Sequence, residues 1–266
     1  TGATDRIKYL LSFSYMDNPG VIDNSALTKY SYRANISSDI TEWLEIGARF
    51  YGYRQNTELS DISGSMTLLS RAVPGIYPYY DGKYGWMENP EQSTDSRNNL
   101  YFINRAHGKS MVHYINTTGF LKITLPLDIK YNASFNYGYR HGYEYFVRGL
   151  GNAYSFSTDK EAYWYDNLTN CNRTETNTGS YTWTFQTDFS WNKTIADKHD
   201  VSAIVGFEAF ESYQHTGSVQ KKSFENAVLE EMDNIITPVT GSGSTTEYAT
   251  SSVFGRASYA YDEKYM

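Results

Sequence analysis

Between Leu127 and Tyr139 every second residue is apolar or aromatic. Leu127, Ile129, Tyr131, Ala133, Phe135, Tyr137 and Tyr139 alternate with Asp128, Lys130, Asn132, Ser134, Asn136 and Gly138. A period of two sends successive side chains to opposite faces of a β-strand. The pattern recurs along the chain and predicts strands at about 5–17, 28–38, 42–54, 111–125, 127–146, 180–193, 200–213 and 250–261. In the first, Ile7, Tyr9, Leu11, Phe13 and Tyr15 share a face. In the third, Leu44, Ile46, Ala48 and Phe50 oppose Glu45, Gly47, Arg49 and Tyr51. In the sixth, Tyr181, Trp183, Phe185, Phe189 and Trp191 oppose Thr182, Thr184, Gln186, Asp188 and Ser190. Segments of about ten to thirteen residues are longer than the roughly five or six typical of soluble strands. They suit a wall with lipid on one side and a wet lumen on the other.

The connections carry a second rhythm. Ser38 to Thr41, Pro126, and Ala196 to His199 are short turns, placed after even-numbered strands, and another turn follows the eighth strand. The connections after odd-numbered strands are longer, with loops expected at about 55–110, 147–179 and 214–249. Short turns at one end and long loops at the other mark outer-membrane barrels, with the long loops extracellular. Within the first long loop, Ile62, Met66, Leu69 and Val73 follow helical spacing until Pro74-Gly75. The third long loop contains a short apolar-periodic stretch from Phe224 to Met232. The predicted fold is all-β: an antiparallel transmembrane β-barrel segment of about eight strands with long extracellular loops.

Composition narrows the function. The net charge of −7 and the 20% charged content argue against a nucleic-acid partner, which would meet a basic patch. Mean hydropathy is −0.58. No apolar run approaches the ~18 residues of a spanning helix, but barrel strands give half their residues to the lumen and look soluble on average. The single cysteine, Cys171, excludes an internal disulfide framework. No signal peptide opens the chain, and Asp262 to Met266 read as a turn followed by the first two residues of another strand. The chain is therefore expected to be an internal piece of a larger protein.

Catalytic and metal signatures are sparse. His107, His113, His141, His199 and His215 are scattered, without the HExxH spacing of a zinc site. There is no G-x-S-x-G elbow. Asp159 with Glu161, and Glu230 with Glu231, read as solvated loop acids rather than a hydrolytic pair. Asp61, Asp81 and Asp95 lack the spacing of a calcium loop. The expectation is no enzyme, no cofactor and no metal. The aromatic group Tyr77, Tyr79, Tyr80, Tyr84 and Trp86 falls outside the strand phase. It is the best candidate for contact with a ligand or a partner, since aromatic faces stack on sugar rings and pack against protein alike. Strand-end rings (Tyr15, Tyr30, Trp43, Tyr139, Trp183, Trp191, Tyr259) read as interface anchors.

Three stretches carry a family resemblance. Tyr9-Leu-Leu-Ser-Phe-Ser-Tyr15 followed by Asn18-Pro-Gly and Thr28 to Ile36 resembles a strand–loop–strand of the SusC/RagA-like TonB-dependent transporters. Ser70 to Tyr84, with Pro74-Gly75 and Asp81-Gly82-Lys-Tyr84, looks like one of their loop segments. Ser252-Val-Phe-Gly-Arg-Ala-Ser-Tyr-Ala-Tyr-Asp262, running on to Tyr265, looks like their FGR hairpin and is the most specific of the three. The resemblance places residues 1–266 in the central part of one barrel domain. The plug, the TonB box and the C-terminal strands lie outside the sequence. It implies a 22-stranded barrel with a plugged lumen in the outer membrane of a Gram-negative bacterium, crossing it many times. It also implies TonB-energised uptake of nutrient oligomers (glycan or peptide fragments), and a SusD-like surface lipoprotein as partner. The TonB complex would engage regions outside this chain. Two rivals stand beside it: a TonB-dependent siderophore or metal-chelate receptor, and a soluble β-rich adhesion or glycan-binding domain.

Overall fold

The computed structural model describes residues 1–70, 75–86, 98–149, 153–162, 171–223, 230–234 and 237–262. One antiparallel sheet dominates. Its strands, in order across the sheet, are β1 (Gly2–Ala3), β2 (Ile7–Pro19), β3 (Ala26–Thr41), β4 (Leu44–Ser60), β6 (Ala106–Thr124), β7 (Lys130–Arg148), β10 (Asn172–Ile195), β11 (His199–Lys222) and β12 (Thr240–Tyr261). Every strand pairs with its neighbour in this series, an up-and-down meander. Its eight long members are the eight that alternation predicts. Between them lie α1 (Ile62–Leu69), α2 (Asn99–Arg105) and a small sheet of β5 (Tyr84–Gly85), β8 (Ala153–Ser155) and β9 (Lys160–Ala162).

The strands outrun the sequence pattern. β10 starts at Asn172 rather than 180, β11 continues to Lys222 rather than 213, and β12 begins at Thr240 rather than 250. The three loops shrink accordingly. In these extensions both faces are polar, so alternation is invisible, yet the ladder goes on. Hydroxyls of Thr176 and Ser218 meet at 3.1 Å, those of Thr178 and Thr216 at 3.2 Å, and Gln220 Nε2 donates to Thr174 Oγ1 at 2.9 Å. The apolar pattern of a strand reports only the height at which it meets lipid. The predicted helix from Ile62 stops at Leu69, and Val73 and Pro74 lie outside the described residues, as do Phe224 to Leu229. Met232–Asn234 form a 3-10 turn.

Register assigns the faces. Across the sheet Phe50 pairs with Thr117, Gly119 with Phe135, Phe135 with Phe185, and Phe185 with Ala209. Residues in phase with these form an apolar band that includes Leu11, Phe13, Val205 and Val253, all exposed. Tyr131 to Tyr139 spans about 21 Å along the membrane normal, at ~3.4 Å per residue and ~40° tilt. Rings edge the band. At the long-loop end Tyr15 stacks near Tyr30 at 5.1 Å and Tyr181 lies on Tyr213 at 5.2 Å. At the short-turn end Trp191 Nε1 donates to Leu127 O at 3.0 Å. Trp183, expected as an edge anchor, sits opposite Tyr137 and stacks with Phe135 at 6.3 Å, inside the band.

The other face is polar. Asn132 Nδ2 donates to Asp188 at 2.9 Å, Lys122 pairs with Glu45 at 3.0 Å, and Asn116 and Asn136 exchange hydrogen bonds at 2.9 and 3.1 Å. Two of its aromatics lie flat over a glycine directly opposite: Phe120 over Gly47 and Phe254 over Gly206. A Cβ at either glycine would strike the ring, so the missing side chain is what lets the ring lie down.

Burial is inverted. The described hydrophobic core, including Tyr101, Phe102, Ile103, Val147, Ala153 and Cys171, sits at the long-loop end, where loops fold onto strand extensions. The chain exposes 16979 Å². A soluble monomer of 30.4 kDa would expose about 11,800 Å². The exposed apolar band is part of this excess; it suits lipid and argues against the soluble adhesion domain. Among the described residues no helix is long and apolar enough to cross a membrane.

Candidate functional site

Two groups of side chains on the wet parts of the molecule gather aromatic rings and charge. The first is the loop cluster. Asp81 and Gly82 both take positive φ, 48° and 76°, and close a two-residue hairpin in which Tyr80 and Lys83 exchange backbone hydrogen bonds at 2.9 Å. Asp-Gly suits such a turn because both positions need φ > 0. Asn98 holds the hairpin from below. Its buried amide donates to Tyr77 O, Pro78 O and Gly85 O at 3.2, 2.8 and 3.1 Å, while its oxygen caps α2 by accepting from Tyr101 N at 3.2 Å. Trp86 N donates to Tyr154 O at 2.8 Å, which ties the hairpin to β8.

The five predicted aromatics split into two roles. Tyr77, Tyr79 and Tyr80 are exposed at 58%, 54% and 63%. Tyr84 is half-buried, its ring 5.7 Å from Tyr101, and Trp86 is half-buried beside β8. Burial and the neighbouring Tyr79 raise the Tyr84 pKa above the usual phenol value. The presented surface therefore consists of three tyrosines. Phe156 joins them, 5.5 Å from Tyr77 and 5.8 Å from Tyr80. Lys83 Nζ lies 3.7 Å above the Tyr154 ring. Tyr154 hydrogen-bonds Asp159, which raises its pKa ahead of the smaller effect of burial. Sequence reasoning missed Phe156 because β8 and β5 pair across more than sixty residues.

The second group lies on the inner face of the large sheet. Tyr51, Tyr53 and Tyr114 form a ring cluster with centroids 5.3–6.1 Å apart. Lys29 Nζ sits 4.2 Å above Tyr53 and the Arg33 guanidinium 5.5 Å from Tyr51. Among the described residues neither cation has a carboxylate within 4.0 Å, unlike Lys122 with Glu45. Arg140 is the register partner of Tyr114. This cationic, aromatic ledge can stack planar or ring-shaped groups and attract negative charge. Its signal in the sequence was tyrosine in the polar phase of two strands.

The acids considered as paired carboxylates have structural work. His107 meets Glu230 at 2.8 Å, and Arg173 bonds Glu230 O at 3.2 Å and Glu231 at 3.3 Å, which fastens residues 230–234 over β7 and β10. Asp61 accepts from Gly64 N at 3.1 Å and pairs with Arg148 at 3.3 Å. Asp81 turns the hairpin, and Asp95 lies outside the described residues. No group of three potential metal ligands occurs among the described residues.

No protein-family profile matches the chain. Over its whole length it is 23% identical to TonB-dependent receptors P39 and P26 of Formosa agariphila, spanning 24% and 26% of their lengths. The chain thus covers about a quarter of these relatives. Among solved structures, the RagAB peptide transporter superposes with a TM-score of 0.74 at 22% identity, and the RagAB peptide importer in its open-open state with 0.76 at 23%. Each covers 98% of this chain and 29% of the larger one.

Proposed function

We propose that this chain, a stretch of SusC/RagA-like TonB-dependent barrel wall, serves active import of nutrient oligomers across the outer membrane. Residues 1–266 form the central part of one barrel domain, and the energy comes through TonB by way of regions outside them. The observation that carries this reading is the division of one continuous sheet. It has an apolar band edged by rings outside, and a hydrogen-bonded polar face with a cationic aromatic ledge inside. A lumen lined this way passes water-rich cargo and offers rings to it, which suits glycan or peptide fragments. The orientation puts the long loops outside the cell and the short turns in the periplasm.

The loop tyrosines Tyr77, Tyr79 and Tyr80 are the proposed contact for a SusD-like surface lipoprotein or for cargo held beneath it. Among the described residues the side chains offer binding surface, and in this reading the chain is a transporter component rather than an enzyme. Deleting the whole transporter should abolish growth on an oligomeric nutrient while leaving growth on its monomers intact. If only iron-chelate uptake failed, the siderophore-receptor reading would replace this one. In the intact transporter, Y77A/Y79A/Y80A should weaken capture of the lipoprotein or of cargo, with barrel folding unchanged. Wild-type capture and uptake in that variant would remove the loop cluster from the site.

A further inference from the structure

The outer face carries a row of one arginine and two histidines that neither the lumen nor the loops use. Arg54 on β4 pairs with His113 on β6, and His113 pairs with His141 on β7. All three side chains are exposed and point to the same side as the apolar band. Strands lie about 4.8 Å apart, so the row spans roughly 10 Å. It sits one position beyond the band: Gly52, Ile115 and Tyr139 lie just below it, and Asn56, Met111 and Tyr143 just above. Tyr30 flanks it on one side and Gly179 on the other. None of these neighbours carries a carboxylate. The nearest outward carboxylate is Asp17, two strands from Arg54 and level with Asn56, and Glu58 and Lys109, register partners of each other, lie two positions further out. At this height a barrel meets lipid headgroups, and aromatic belts mark the level. Donors here that have no carboxylate partner among the described residues have anionic lipid as their natural complement, because charge-assisted hydrogen bonds to phosphate are strong and arginine presents a fork that fits it.

We infer that Arg54, His113 and His141 form a binding site on the barrel exterior for the phosphate of an anionic outer-leaflet glycolipid. The inference rests on the membrane-embedded barrel but not on the cargo. The test uses the whole transporter, purified and delipidated, then offered diphosphoryl lipid A or the same lipid stripped of phosphate, with retention read by native mass spectrometry. The wild type should retain the phosphorylated lipid at least about fivefold better, the factor expected from ~1 kcal/mol per surface cation. R54Q/H113Q/H141Q should lose the preference while keeping heat-modifiable mobility, the sign of a folded barrel. A matched variant, K122Q/K130Q/R256Q, removes three inner-face cations and should keep it. Inorganic phosphate at equal concentration should compete weakly, because it lacks the acyl chains that rest on the apolar band. Three outcomes would overturn the proposal: equal retention of both lipids by the wild type, loss of preference in both variants, or unchanged retention in the outer-row variant. A change of oligomeric state with lipid retention intact would assign the row to a contact between barrels instead.

Discussion

Replacing Phe135 by arginine tests the assignment of faces at its most sensitive point. Phe135 lies midway between Tyr131 and Tyr139, about 10 Å from either edge of the apolar band along the normal. Arginine at the bilayer midplane costs about 2–4 kcal/mol in a barrel. The substitution also removes the ring contact with Trp183 at 6.3 Å, worth roughly 0.5–1.5 kcal/mol. The sum is about 2.5–5.5 kcal/mol, or roughly two to four decades in the folding equilibrium at ~1.4 kcal/mol per decade. Gln186 is one residue from Phe185 on the opposite face, exposed, and its register partner on β11 is Glu208. Arginine there gains a neighbouring carboxylate and faces water, so its cost should stay below about 1 kcal/mol. Both variants belong in the intact transporter, refolded into bilayers and titrated with urea, with heat-modifiable mobility as the readout. Equal midpoints for F135R and Q186R would refute the face assignment and with it the lipid-facing reading of the tyrosine alternation.

Other expectations follow from particular contacts. Asn98→Ala removes the α2 cap and the amide donations to Tyr77, Pro78 and Gly85, at about 0.5–2 kcal/mol for the cap alone. It should raise hydrogen exchange across residues 76–86 without altering exchange in β7 or β10. Cys171, 1% exposed beside Val147, should resist maleimide in the folded transporter and react once it is denatured; rapid labelling of the native protein would contradict the packing. Arg33→Gln with Lys29→Gln should weaken uptake of carboxylate-bearing oligomers more than that of neutral ones, and equal effects on both would deny the ledge a role in charge selection.

Much of the wall was legible because lipid imposes a period on the strands. Residues such as Phe13, Phe135 and Val205 must be apolar where they meet acyl chains, so the strand phase shows in the sequence. Above the lipid nothing forces alternation, which is why the first eight residues of β10 and the start of β12 read as loop. The helix α2 was missed for a different reason: seven residues are too few to show a period, and its helicity depends on the Asn98 cap and the burial of Tyr101 and Phe102. The loop aromatics were visible as an off-phase cluster, but which of them face outward depended on Tyr101 and Phe156, distant in sequence. The inner ledge and the outer row of Arg54, His113 and His141 were hidden still deeper. Lys29, Tyr53 and Tyr114, or Arg54, His113 and His141, become neighbours only through strand register, and no local pattern encodes that.

The rings laid over Gly47 and Gly206 bear on how wide the passage is. A phenylalanine standing upright on the inner wall would project into the bore and take up room that cargo or plug must share. Phe120 and Phe254 instead lie along the wall, each filling the gap left by the glycine opposite. The wall keeps the stiffness that aromatic cross-strand pairs give a sheet and stays smooth. Adding a methyl group at Gly47 or Gly206 would lift the ring off its seat and set an obstruction in the channel. On the import reading proposed above, two residues without a side chain keep this stretch of wall smooth for cargo.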